Sequence, residues 1–359
     1  MPPHSLTLVI PCYNEERTLK ACVERCLELQ HHGITLELLI VDDCSTDGSR
    51  AIAQQLVAQH QEVRLLTHEH NRGKGAALRT GCANATGDFV GIQDADAEYQ
   101  PLDYLTLLQP LLLDKADVVY GSRYLKQETR RVLYFWHTWM NRALTFASNM
   151  FTNLDISDME TCYKLFRRDV IQKISGLLKE DRFGFEPEVT ALVAQGRYRV
   201  YECAIHYEPR TYEEGKKIGW KDGLRALYCI LHYGAPKAPV PMQVLLYLFI
   251  GTFCALVNML AFAVLLSSFS LIVATVTAFV LAAACNYLLC LAILFRHKAR
   301  WTAVGEVLSY LLTLSIMGSF DYVMTYGLIA LGVGPVCSKA VAAVVGFAGN
   351  FLFRKYLVF

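Results

Sequence analysis

VGIQDADAEYQP, residues 90–101, runs from an apolar segment straight into three carboxylates, Asp94, Asp96 and Glu98. A two-residue spacing sets alternate side chains on one face of an extended chain. Like charges gathered that closely repel one another unless a cation holds them. The candidate ligands are all oxygens, so the cation expected at Asp94, Asp96 and Glu98 is a hard one, Mg2+ or Mn2+, rather than zinc. Magnesium is commonly held by one or two carboxylates together with substrate phosphates, so Asp-x-Asp at a strand end points to a diphosphate bridged through a metal.

The surrounding sequence repeats the pattern of a strand that ends in polar residues. Strands are expected at 5–11, 35–41, 63–68, 88–93 and 116–121. Between them lie helical patterns at 15–29, 49–59, 73–85 and 101–112. Continuous apolar runs alternating with amphipathic helices indicate an α/β fold with a parallel sheet covered on both faces. Ligands of such sheets bind beyond the carboxyl ends of the strands. Asn14-Glu15, Asp42-Asp43, Asp94-Ala95-Asp96 and Ser122-Arg123 all fall there.

The chain has 359 residues, of which 53% are hydrophobic, and 34 Lys/Arg against 33 Asp/Glu. That is too apolar for an ordinary soluble protein of this length. The excess is concentrated after the proline cluster at 236–241: from Met242 onward the only acids are Glu306 and Asp321. The N-terminal part is left mildly acidic, which excludes a nucleic-acid footprint. Twelve cysteines without a Cys-x-x-Cys pair read as reduced, buried small hydrophobes. The first residues lack the basic region and cleavage site of a signal peptide.

Four apolar segments, about 243–266, 270–295, 303–331 and 334–357, each cover the roughly 20 residues of a spanning helix. The basic loop 296–301 and Arg354-Lys355 place that loop and both termini on the cytoplasmic side. NYLLCLAILF (286–295) and NFLFRKYLVF (350–359) align without gaps, so the membrane module reads as two tandem hairpins. Asn258, Asn286, Asp321 and Asn350 are polar groups expected to face the bundle interior. The expected division is a cytoplasmic domain at 1–218, an interfacial helix and linker at 219–241, and an all-α transmembrane domain at 242–359. Segments 130–151 and 219–234 mix basic residues with large aromatics, as helices in a membrane interface do. Arg210, Lys216 and Lys217 lie on a Gly-containing segment suited to closing over an anionic substrate.

VIPCYNEE (9–16), VDDCSTDGS (41–49), NRGKGAALRTG (71–81), DAD (94–96) and YGSRY (120–124) resemble the family-2 glycosyltransferases with the GT-A fold. DMETCYKLFRRDV (158–170) and FGFEPEV (183–189) resemble bacterial members, and the C-terminal repeat resembles a GtrA-like four-helix module. Within the family the likeness is greatest to the polyprenyl-phosphate sugar synthases, such as dolichyl-phosphate mannose synthase. The resemblance implies that Pro11, Tyr13, Glu15, Val41 and Asp43 line the nucleoside site. It implies that Asp94 and Asp96 hold the metal, with Ala95 beside the ribose. Arg123, Arg210 and Lys216 would meet the diphosphate and the acceptor phosphate. The family often has Gln where this chain has Glu98.

The implied activity is inverting transfer of a hexose from a nucleotide-diphosphate sugar, GDP-mannose or a UDP-hexose, to a polyprenyl phosphate. Asp96 and Arg123 would serve the chemistry. A phosphate monoester is already an oxyanion at neutral pH, because its second pKa is about 6, so no essential base is expected. Asp158 is the one candidate for an orienting or base residue, against the plainer reading of a loop cap. A processive polysaccharide synthase would carry Gln-x-x-Arg-Trp, which Gln195-Gly-Arg-Tyr-Arg does not match. A lipid-linked-sugar translocator is the other alternative, and the intact acidic cluster argues against it. A homo-oligomer is left open.

Overall fold

The structure, a computed structural model, describes residues 4–96, 98–125, 131–209, 220–295 and 303–358. The chain divides into two compact units, Met1–Lys237 and Ala238–Phe359.

The first unit is built in the order β1 (Ser5–Cys12), α1 (Leu19–Leu27), β2 (Thr35–Asp42), α2 (Ser49–Gln59), β3 (Val63–Thr67), α3 (Lys74–Asn84), β4 (Phe89–Ile92) and α4 (Tyr104–Leu112). There follow β5 (Val118–Ser122), α5 (Phe135–Thr152), β6 (Lys164–Arg167), α6 (Arg168–Ser175), α7 (Phe185–Gln195), β7 (Val200–Ala204) and α8 (Trp220–Gly234). The seven strands form one sheet in the order β3-β2-β1-β4-β6-β5-β7. Leu8, Val9, Ile10, Leu38, Leu39, Ile40, Val41, Val90 and Val118 are all fully buried. An unbroken apolar run of this kind is what a strand covered on both faces requires.

The five expected strands are present, and the sheet adds β6 and β7. β6 is antiparallel to both β4 and β5, so the sheet is mixed rather than purely parallel. This reversal has a consequence for the site. An antiparallel strand brings the residues before it, not after it, to the edge where its neighbours end. Residues 158–163 therefore arrive beside Gln93 and Asp94, and Tyr163 Oη donates to Gln93 Oε1 at 2.6 Å. The parallel β7 delivers Tyr207 to the same edge, where it bridges to Tyr99.

Two helices carry both a packed and an exposed apolar face. α5 buries Leu144, Ser148 and Phe151, while Phe135, Trp136, Trp139 and Phe146 are exposed. α8 buries Ala226, Cys229 and Ile230 and exposes Leu224, Leu227 and Tyr228.

The second unit contains α9 (Val240–Leu266), α10 (Leu271–Leu289), α11 (Ala303–Ala330) and α12 (Pro335–Phe353). Among the described residues three helical stretches, Val240–Leu266, Leu271–Phe295 and Val307–Ala330, are long and apolar enough to cross a membrane. α9 packs on α10 and α11 on α12. Both repeat segments leave their α-helix in a π-helical turn, Cys290–Phe295 and Arg354–Val358. Such turns are rare and concentrate at functional sites.

Candidate active site

The chain does not stay extended through the acidic run. β4 ends at Ile92, and Ala95 and Asp96 form a turn. The alternation that would have aligned three carboxylates is broken there. Asp96 Oδ1 accepts from the Glu98 backbone N–H at 3.3 Å. Glu98 is drawn to β7's side of the site, its Oε2 accepting from Tyr207 Oη at 2.8 Å. Among the described residues no three His, Cys, Asp or Glu side chains converge as a metal-holding group. Asp94, Asp96 and Glu98 do not come together as such a three-carboxylate group. Ala95 is buried at the turn's centre.

Asp94 is held by Lys74 at the start of α3, with Nζ at 2.9 Å from Oδ1 and 3.1 Å from Oδ2. The same ammonium lies 3.3 Å from Glu186 Oε1 in the first turn of α7. Burial alone would lower the Lys74 pKa, but Asp94 and Glu186 more than offset it and hold the group well above its ordinary value. Lys74 can reach this place because α3 begins hard against the 180–182 backbone. A Cβ at Gly75 would lie 2.4 Å from the Glu180 carbonyl oxygen, and one at Gly73, where φ is +97°, 2.3 Å from that of Asp181. Only glycine permits that approach.

Arg123, just past β5, does not point unencumbered at a substrate. Its Nε and Nη2 each donate to the carboxylate of Asp158 at 2.7 Å, and its backbone N–H donates to Oδ2 at 3.0 Å. Asp158 is fully buried. The guanidinium also lies over the Tyr207 ring, 5.1 Å from its centroid. Asp158 therefore has no exposed edge with which to take a proton from an acceptor. The base role held open for it is corrected to that of an anchor for Arg123.

The residues after Asp158 complete a buried knot. Lys164, itself fully buried, donates to the carbonyl oxygens of Met159, at 2.9 Å, and Thr161. Glu160 Oε1 is shut off from solvent and accepts no hydrogen bond among the described residues. Burial, reinforced by the charge of Glu186, pushes the Glu160 carboxyl up to about 8. Lys74, Glu160 and Glu186 were missing from the sequence-based set of site residues. Each lies in a motif recognised there, but what places it against Asp94 or Arg123 is the β6 reversal and the α3–α7 approach.

The nucleoside side is built from the β1 and β2 ends. Asn14, at φ +57°, accepts from the Thr46 N–H at 2.8 Å, and the Glu15 N–H donates to Ser49 Oγ at 2.8 Å. These bonds lace the two loops together and leave Tyr13 41% exposed beside Pro11. Asp43 is buried and accepts from the backbone N–H of Arg72 at 2.9 Å and Gly73 at 2.6 Å. It also pairs with His68 Nδ1 at 2.6 Å. Its carboxylate thus shapes the 68–73 loop rather than standing open. Val41 is fully buried, and a Cβ at Gly81 would come within 3.2 Å of its Cγ2. The Val41 side chain is core, so only its backbone can border the site. Arg210 and Lys216 lie outside the described residues.

Residues 7–175 match the family model "Glycosyl transferase family 2", and residues 246–359 match "GtrA/DPMS, transmembrane domain". The chain thus joins a family-2 glycosyltransferase domain at 7–175 to a GtrA/DPMS transmembrane domain at 246–359. It is 26% identical over 220 residues to a dolichyl-phosphate β-glucosyltransferase of Trichomonas vaginalis, a match covering 57% of this chain and 66% of that one, just under two thirds. It is 27% identical over 232 residues to the human dolichyl-phosphate β-glucosyltransferase, covering 60% and 70%. Among solved structures, glucosyl-3-phosphoglycerate synthase of Mycobacterium tuberculosis, in complex with Mn2+, UDP and glucosyl-3-phosphoglycerate, superposes with a TM-score of 0.50 at 19% identity. That match covers 64% of this chain and 80% of the other. At that identity the likeness is one of fold, GT-A.

Proposed function

We propose that the protein transfers a hexose from a nucleotide-diphosphate sugar to a polyprenyl phosphate, giving a polyprenyl-phosphate sugar. Glucose from UDP-glucose is the first donor to test, because the relatives named above are dolichyl-phosphate β-glucosyltransferases. The observation that carries the reading is the strand-end group of Asp94, Lys74 and Glu186, with Asp96 in the turn beside it. It supplies carboxylates for a metal and a buried cation at the place where an α/β sheet binds its ligand.

The donor set fits a hard divalent cation. Asp94 and Asp96 offer oxygen only, which suits Mg2+ or Mn2+ completed by substrate phosphates, and Glu98 is engaged with Tyr207 instead. Such an ion, when bound, neutralises charge building on the departing diphosphate. The chain's own part is electrostatic. Lys74 fixes Asp94 in place, and the Asp158 fork holds Arg123 in one orientation. The acceptor phosphate attacks as an oxyanion and needs no base, which agrees with Asp158 being closed off. The exposed aromatic face of α5, with Trp136 and Trp139, suits a membrane interface, where the lipid phosphate is found. The protein is a membrane protein; we place the catalytic unit on the cytoplasmic face from the basic loop at 296–301 and from Arg354-Lys355.

The test is reconstitution. Purified full-length protein, a polyprenyl phosphate and labelled UDP-glucose or GDP-mannose, with Mg2+ or Mn2+, should yield a chloroform-extractable lipid-linked hexose. Absence of that product with every donor, under conditions where the protein is folded, overturns the reading.

A further inference from the structure

The membrane unit buries a charge. Arg354 is 5% exposed and sits in the apolar cluster formed by Tyr247, Ile250, Cys254, Cys290, Tyr310 and Phe351. An arginine inside such a bundle is costly unless something answers it. Among the described side chains, of which Glu306 is not one, none of opposite charge forms an ion pair with it. Nη1 donates to Asn286 Oδ1 and lies 3.9 Å from Cys290 Sγ. The guanidinium is stacked between two rings, 4.7 Å from the centroid of Tyr310 and 5.4 Å from that of Tyr247.

The partners crowd one side. Nη2 has only a long contact of 3.4 Å to Tyr310 Oη, and Nε is buried with no hydrogen-bond partner. Nε and Nη2 form the edge with which a guanidinium grips two oxygens of a phosphate or carboxylate. The π-helical turn places Arg354 there, and its counterpart in the repeat, Cys290–Phe295, supplies Cys290 to the same cluster. Two rare turns and an asparagine thus converge on one under-used cationic edge.

We infer that Arg354, with Asn286 and Tyr310, forms a binding site for a lipid phosphate within the membrane unit. Its occupant is the phosphate head of the polyprenyl chain, as acceptor or as product; this identification rests on the proposed transfer to a polyprenyl phosphate. A phosphate oxygen pair on Nε and Nη2 supplies the missing anion, and the isoprenoid tail keeps the ligand in the bilayer.

The experiment uses the full chain in neutral-lipid nanodiscs without nucleotide sugar. A polyprenyl phosphate bearing a photoreactive group beside the phosphate is cross-linked and the adducts are mapped by mass spectrometry. The expected result is adducts in the 283–294 and 347–358 peptides of the wild type. R354Q reduces these by roughly tenfold, R354K reduces them less, and adducts within 1–237 are unchanged. Unlabelled polyprenyl phosphate competes, whereas polyprenol, inorganic phosphate and phosphatidylglycerol do not. Equal competition by phosphatidylglycerol would make this a general lipid site and overturn the assignment. Unchanged labelling in R354Q would also overturn it. So would equal loss of thermal stability in R354Q and E306Q with labelling intact in E306Q/R354Q, because Arg354 would then be serving an internal ion pair. Should R354Q not fold, Tyr310→Phe, which keeps the ring, is expected to weaken labelling. Failure of the wild type to make any lipid-linked hexose counts against the transfer reaction; the location of the adducts is read independently of it.

Discussion

Arg123 and Asp158 close on each other as a two-pronged fork, both prongs 2.7 Å long, 35 residues apart in sequence and joined across adjacent strands. This relationship changes what each residue can do. A buried carboxylate that is fully engaged by a guanidinium positions a charge; it does not shuttle a proton. Removing one member leaves the other buried and unpaired, which costs about 3–5 kcal/mol. Asp158→Ala is therefore expected to lower the unfolding free energy by about that amount. Asp158→Asn, which keeps the shape, should retain some activity with a pH–rate profile of unchanged form. A profile that loses its acidic limb in Asp158→Asn would restore the base role.

Lys74 bridges Asp94 and Glu186, so neutralising it brings two carboxylates together without a cation. Lys74→Met is expected to lower kcat/KM for the nucleotide sugar by about 10- to 150-fold, the equivalent of a charged hydrogen bond of roughly 1.5–3 kcal/mol. Adding Glu186→Gln should recover part of the loss, because it removes one of the two repelling charges. Steady-state kinetics of the two single variants and the double variant measure the coupling. Strict additivity of the two losses would show that Lys74 does not act through Glu186.

Much of this arrangement was legible in the sequence, and the limits have physical causes. β1 to β5 announce themselves as apolar runs, and β1, β2, β4 and β5 stop near Asn14, Asp42, Asp94 and Arg123, so the edge carrying the site could be placed. β6, KLFR, is four residues long and contains two basic residues; nothing in its pattern marks it as an antiparallel insert. Without that reversal Asp158 and Glu160 cannot be placed against Arg123. The alignment expected for Asp94, Asp96 and Glu98 rested on period-two alternation, which applies only while the chain is extended, and the chain turns at Ala95-Asp96. For Val41 the sequence shows less, since a continuous apolar run does not tell whether a residue meets the site with its side chain or only with its backbone.

Removal of the metal should separate Asp96 from Glu98. Chelation and Asp96→Ala are each expected to abolish measurable transfer, because the leaving diphosphate then lacks its counter-charge. Glu98→Gln should retain activity and Mg2+/Mn2+ preference, since Tyr207 Oη can still donate to the amide oxygen. Activity assays across a metal series decide this. A changed metal preference in Glu98→Gln would return the third carboxylate to the ligand set.

Glu160 gives a pH signature. Its carboxyl rises from the usual 4.5 to about 8 in the folded protein, mainly through burial. The fold thus favours the protonated form. The associated stability is complete below the unfolded value, near pH 4.5, and is lost as the pH climbs through about 8. Wild-type protein should lose thermal stability across that window, and Glu160→Gln, which cannot ionise, should show a shallower slope. Thermal midpoints from about pH 5 to pH 8 in one detergent test this. Parallel slopes for the two proteins would mean that Glu160 is already ionised at neutral pH.

The start of α3 offers the cleanest test of how the fold places the site. A methyl group at Gly75 would sit 2.4 Å from the Glu180 carbonyl oxygen and 3.0 Å from that of Arg182. Both neighbours are backbone atoms, so relief requires moving either the α3 start or the 180–182 segment. Gly75→Ala should cost about 1–3 kcal/mol, as overpacking of a close contact does. It should also weaken activity more than that loss of stability explains, because the displaced helix carries Lys74 away from Asp94 and Glu186. The stability loss is read from thermal melts, and kcat/KM is compared at a temperature where both proteins are fully folded. Wild-type kcat/KM in a folded Gly75→Ala protein would show that the α3–α7 approach serves packing alone and does not set the position of Lys74.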